Sequence, residues 1–94
     1  MILALLARLI NMHDFHLADT ILKIVLEYAE KNNLKSIKKI ELELGSILEH
    51  DDVISSENLL FNFNLLSKNT IAQNAELEVK QTAGDSWKLV SIEE

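Results

Sequence analysis

The sequence predicts an α+β fold: a two-layer domain in which a small mixed sheet of about three strands carries two helices on one side. Three observations predict it. Apolar residues recur at helical spacing from Asp14 to Asn32 and again after Ser55, and they alternate with charged residues around Ile40–Leu44 and Ala75–Lys80. The order is helix, strand, helix, strand, strand. Finally, 94 residues with 48% hydrophobic content suffice for one compact core of modest size, which gains from a partner.

The N-terminal run Ile2–Ile10 is apolar apart from Arg8. It is too short to span a bilayer and has neither a basic n-region nor a small-residue cleavage site, so it reads as packing surface and not as a targeting or membrane segment. No Gly or Pro separates Ile2 from Asn32, so Leu3, Leu6, Ile10, His13 and Leu17 can extend the next helical stripe backwards. A different reading makes Met12 the translation start. Under either, residues 1–11 form an extension and residues 12–94 the domain.

From Asp14 to Asn32 the residues Phe15, Ala18, Ile21, Leu22, Val25, Tyr28 and Ala29 share one helical face, with His16, Asp19, Lys23, Glu27 and Glu30 opposite. Asp19 with Lys23 and Glu27 with Lys31 have the favourable i, i+4 order, and Asn32-Asn33 supplies a left-handed C-cap. Ile40, Leu42 and Leu44 then mark a half-buried strand that Gly45 ends. Ser46 to Ser56 reads as a polar, acidic loop. Ser55 or Ser56 N-caps a short helix with Leu59, Leu60, Phe63 and Leu66 inward, closed by Asn69. Ala75, Leu77 and Val79 mark a second strand, and Gly84-Asp85 turns the chain into a third, Ser86 to Ile92, expected to pair with it as a hairpin. Trp87 and Leu89 have one parity and Val90 and Ile92 the other, so that strand either carries a bulge or is covered on both faces.

Nine basic against 15 acidic residues give a net charge of −6, which excludes nucleic acid as an expected partner. With no cysteine there is no disulfide framework and no thiolate metal site; a cytoplasmic location is the default.

Met12-His13-Asp14 followed by Phe15-His16-Leu17-Ala18-Asp19, together with Leu44-Gly45, Phe61-Asn62-Phe63, Asn69-Thr70-Ile71-Ala72 and Ala75-Glu76-Leu77-Glu78-Val79, resembles the HypA-type nickel chaperones of nickel-iron hydrogenase maturation. In that family the chain begins Met-His-Glu and its start binds nickel; here the corresponding words stand at Met12, with Asp14 in place of Glu. The resemblance implies a nickel-binding domain over residues 12–94, nickel as the metal, and two partners: a nickel-handling GTPase and the hydrogenase large subunit. It also implies a zinc ribbon with paired Cys-x-x-Cys motifs between the last two strands, where this chain has only Gln81 to Asp85. No zinc is therefore expected. Ser46 stands where the family commonly has Glu after the strand-ending Gly.

His13 is the principal candidate ligand, since neutral imidazole favours nickel and a nearby carboxylate, here Asp14, either binds or orients the ring. Met12 belongs to the same motif. His16 follows His13 by three residues, so a helix reaching back that far would set both rings on neighbouring turns; the plainer reading is a solvated histidine beside Asp19. Glu49-His50-Asp51-Asp52 gathers an imidazole and carboxylates, but reads chiefly as a solvated charged loop. Phe61, Phe63 and Trp87 read as packing residues. Glu41 with Glu43 and Glu76 with Glu78 are solvent-facing strand positions, and no catalytic constellation is present, so the chain is not read as an enzyme.

The expected function is nickel-binding metallochaperone; the alternative is a divergent relative that has lost metal delivery and serves as an oligomerising module. Leaving Leu3, Leu5, Leu6, Leu9 and Ile10 in water would expose a continuous apolar patch, and burying each is worth roughly 1.5 to 3 kcal/mol, so a homodimer covering that segment is expected.

Overall fold

The computed structural model of the chain describes residues 2–8, 14–46, 48–49, 52–53 and 55–94, with side chains over 15–46 and 55–94. Its elements are β1 (Ile2–Arg8), α1 (Asp14–Lys31), β2 (Lys39–Leu44), β3 (Leu48–Glu49), β4 (Asp52–Val53), α2 (Ser56–Leu66), β5 (Glu76–Gln81) and β6 (Ser86–Glu93). One mixed sheet has the spatial order β1-β6-β2-β5, and β3 pairs with β4 separately. Both helices pack on the sheet face that carries Ile40, Leu42, Leu44, Leu77, Trp87, Leu89 and Ile92. The two-layer α+β arrangement is thus present, with β1 as an additional strand.

Helix α1 follows its sequence pattern closely. Leu17, Ala18, Ile21, Val25 and Ala29 are fully buried, while Lys23–Asp19 (2.9 Å) and Lys31–Glu27 (3.0 Å) bridge its outer side. Asn33 takes φ 57°, and the Leu34 N–H donates to Ala29 O at 2.9 Å while the Asn33 N–H donates to Glu30 O at 3.3 Å. This is the Schellman closure, in which an αL residue returns two amides to the last turn. Phe15 is the exception on the stripe: it is 46% exposed, because its place in the first turn lies beyond the buried anchors Leu17 and Ala18.

The N-terminal run is a strand, not a backward extension of α1. β1 pairs antiparallel with β6, with Leu5 opposite Leu89, Ala7 opposite Trp87 and Arg8 opposite Ser86. The flank of β6 away from β2 offers ladder hydrogen bonds, and that tertiary pairing overrides the helical preference of a Leu/Ala-rich segment. β1 thus takes its backbone pairing from the chain's own β6, while its side chains, for which the sequence expects a second copy as cover, lie outside the described residues.

Nor do β5 and β6 form a hairpin. β2 lies between them, parallel to β5 (Lys39 opposite Glu76, Leu44 opposite Gln81) and antiparallel to β6 (Ile40 opposite Ile92, Leu44 opposite Trp87). The reason is burial: Ile40, Leu42 and Leu44 have almost no exposure, and the hairpin would have pushed this most apolar strand towards an edge. The 82–85 link crosses the end of β2 and is tied to it. Thr82 N–H donates to Leu44 O (2.9 Å), Gly45 N–H to Ser86 O (2.8 Å) and Ser46 N–H to Gly84 O (2.8 Å). A Cβ on Gly45 would lie 2.7 Å from Ser86 O and 2.8 Å from Gly84 O, so only glycine permits this approach.

Of the two readings for β6, the structure has the bulge. Glu41 stands opposite Ser91 and the next residue, Leu42, opposite Leu89, leaving Val90 without a partner on β2. The extra residue resets the alternation, so Trp87, Leu89 and Ile92 all face the helices. The buried Trp87 Nε1 and Ser91 Oγ have no hydrogen-bond partner among the described residues.

Helix α2 is capped by Ser55, whose Oγ accepts from the Asn58 N–H at 3.1 Å. It ends at Leu66 with Ser67 as C-cap, so Asn69 does not close the helix; at φ 66° it belongs to the turn beyond. Leu59 and Phe63 are fully buried and Leu66 partly so, but Leu60 is 36% exposed against its expected inward placement, and Phe61, read as a packing residue, is 68% exposed. The two-residue strands β3 and β4 break up the segment read as loop; Leu48 stands opposite Val53 and Glu49 opposite Asp52.

Candidate metal centre

The first turn of α1 carries the described part of the candidate centre. Asp14 is the first helical residue, and the burial of Leu17 and Ala18 one turn later fixes that turn against the core. An acidic residue suits a helix N-terminus, where unsatisfied N–H groups and the helix dipole favour negative charge. His16 is exposed, and its ring meets that of Phe15 edge to face, with centroids 6.2 Å apart and planes at 82°. A neutral imidazole can bind nickel through one nitrogen.

Met12 and His13 lie outside the described residues, as does the Asp14 side chain, so the pairing of His13 with His16 falls partly outside them too. The helix begins at Asp14. His50 and Asp51 are likewise outside the described residues; only the flanking β3 and β4 are placed. Among the described residues no group of three or more His and acidic side chains is gathered to hold a metal.

Away from α1, the outer face of the sheet is polar. Lys39 Nζ lies 3.1 Å from Glu78 and 3.7 Å from Glu41, and the hydrogen bond and charge of Glu78 hold its amine above the ordinary value. Glu76 and Glu78 are exposed, as expected of solvent-facing positions. Two surface clefts accompany α2. One is lined by Ser56, Glu57, Leu60, Leu77 and Val79, the other by Asn64, Ser67, Lys68, Gln73, Asn74 and Ala75. Neither offers an imidazole, so neither has the donor set of a nickel site. The first cleft was not anticipated from the sequence; its signal was Leu60, which sits off-centre on the apolar stripe of α2.

Comparison with known proteins converges on one family. A family model described as hydrogenase/urease nickel incorporation, metallochaperone, HypA matches residues 12–87. A hydrogenase maturation factor HypA from Rhizobium leguminosarum bv. viciae is 31% identical over 88 residues, which cover 88% of this chain and 74% of that protein. Its namesake from Legionella pneumophila (strain Lens) is 33% identical over 75 residues, covering 80% and 63%, and that from Archaeoglobus fulgidus 34% over 74 residues, covering 79% and 64%. The chain thus spans between about three fifths and three quarters of these relatives' length. In fold it matches the solution structure of the Ni metallochaperone HypA from Helicobacter pylori with a TM-score of 0.73 at 14% identity, over 87% of this chain and 97% of that one. The sequence matches and the match to residues 12–87 place this chain in the HypA family.

Proposed function

We propose that this chain is a nickel-binding metallochaperone that serves the maturation of a nickel enzyme and is not itself a catalyst. The observation that carries the reading is where the family match begins: at Met12, the first residue of the Met12-His13-Asp14 motif. In this reading nickel is cargo. His13 is its principal ligand, Asp14 and Met12 belong to the same site, and His16 supplies a second ring from the first turn of α1. Residues 12–94 are the metal-handling unit, and β1 is an added edge strand. The work is cytoplasmic, with a nickel-handling GTPase and the hydrogenase large subunit as partners and a second copy of the chain as assembly partner. The alternative, a relative that has lost metal delivery, gains no support from the family membership.

Nickel calorimetry tests the site. His13→Ala should abolish specific binding while His50→Ala leaves it unchanged; the reverse pattern would sink the assignment. A chain starting at Met12 should bind more tightly, because a free amine and adjacent deprotonated amides suit square-planar nickel.

Folding here should not need zinc, since the hydrogen-bonded 82–85 link joins β5 to β6 and the sequence has no cysteine. Thermal unfolding should be unchanged by a strong chelator, and a large loss of stability would show a structural metal at work.

A further inference from the structure

Among the described residues β5 is the outermost strand of the main sheet on the α2 side, and no described strand pairs with its other edge. The Glu76 N–H donates to Lys38 O (2.8 Å) and the Thr82 N–H to Leu44 O (2.9 Å), so the even-numbered residues of β5 turn their amides towards β2. By the alternation of a strand, Leu77, Val79 and Gln81 turn theirs to the open edge, which is a template for another strand. Side chains alternate too: Leu77 and Val79 face the helix layer, and Glu76, Glu78 and Lys80 are exposed on the other face. Beside the edge, Leu60 of α2 makes a shallow groove with Leu77 and Val79, rimmed by Ser56 and Glu57.

An occupant of this edge must be extended and apolar on the residues that face α2. Glu78 already meets Lys39 of its own sheet at 3.1 Å, so a basic group opposite Glu78 adds to that pair, and an acidic group opposite Lys80 balances the one exposed cation of the strand. β5 itself meets each of these conditions. Two copies laid antiparallel about Val79 would set Val79 against Val79 as a reciprocally hydrogen-bonded pair, Leu77 against Gln81, and Glu78 of each copy against Lys80 of the other. Shifting the centre to Glu78 would oppose Glu78 to Glu78, and directly opposed like charges are destabilising. The charges therefore select one register.

We propose that the open edge of β5, with the Leu60–Leu77–Val79 groove beside it, is the homodimer surface of this protein, joining two sheets into one continuous sheet about Val79. The proposal rests on the homodimer reading above and names its contact.

Sedimentation of the full chain tests both. Val79→Pro removes an amide that faces the open edge and lies at the centre of the joint, a place where an edge strand tolerates proline. It should remain folded by circular dichroism and sediment as a monomer where the unaltered chain is a dimer. Lys80→Glu and Glu78→Lys should each weaken self-association by about tenfold, and mixing the two variants should restore the dimer, because every charged pair is again complementary. If folded Val79→Pro stays dimeric, or the mixture gains nothing over either variant, the β5 surface is wrong while the homodimer reading stands. An unaltered chain that is monomeric at high concentration overturns both.

Discussion

Helices α1 and α2 lie side by side in one layer, yet they meet solvent differently. The outer side of α1 carries Asp19, Lys23, Glu27 and Lys31 in two ion pairs, so its surface is the polar complement of its buried stripe. Outside its buried residues Leu59 and Phe63, α2 shows Leu60, Phe61 and Leu65 to solvent. The helices differ in what surrounds them. α1 buries a wide stripe, from Leu17 to Ala29, whereas α2 sits against β5 and buries only Leu59 and Phe63 fully. An apolar residue is buried by its neighbours, and a helical period says which residues share a face without saying how much of that face is covered.

The largest expected effect separates the two sides of α2. Phe63→Ala should cost about 3 to 5 kcal/mol, since it empties a fully buried site, while Phe61→Ala should stay within about 0.5 kcal/mol. Denaturant unfolding of both variants reads the difference; comparable losses would mean that Phe61 is covered in solution. Next come the caps. Ser55→Ala removes the acceptor of the Asn58 N–H and should cost about 1 kcal/mol, and Asn33→Ala should cost a similar amount because alanine resists the left-handed φ there. A negligible change at Asn33 would show that the α1 closure does not need an αL-tolerant residue. The smallest effects concern charge. Lys23→Ala should lose no more than about 0.5 kcal/mol, and less at high salt. Lys39, whose amine Glu78 holds above its ordinary 10.5, should stabilise the outer sheet face most below that value and lose the contribution as pH rises through its raised folded value. Titration of the Lys39 amine by NMR should show Glu78→Gln lowering it; no movement would remove Glu78 as the cause.

Local patterns made much of this fold legible. The stripe and both ion pairs of α1, its left-handed Asn33, the alternation of β2 and the Ser55 cap all depend on residues within a few positions of one another, and all are found. Strand neighbours are not local. Gly84-Asp85 looks like a hairpin turn, but whether β5 or β2 takes the place beside β6 depends on which strand has most to gain from the centre. Likewise, Ile2–Arg8 is a poor strand by composition and becomes one because β6 has a free flank. Of the candidate centre, His16 and the start of α1 are in the described structure, while the family motif at Met12 was readable only as residue identity. The β5 groove escaped the sequence because it is built jointly by two elements that the sequence reads apart.

The insertion of β2 between β5 and β6 also bears on how the chain reaches this state. Ile2 pairs with Ser91, Lys39 with both Glu76 and Glu93, so every ladder of the main sheet joins segments far apart in the chain; only the small β3–β4 ribbon is local. High contact order of this kind means that a long loop must close before any main-sheet hydrogen bond forms, and the loss of chain entropy comes ahead of its compensation. Helix α1, with its own cap and ion pairs, is the element able to form early. The sheet assembles late, and until β2 is seated the edges of β5 and β6 stay open to strands of other molecules.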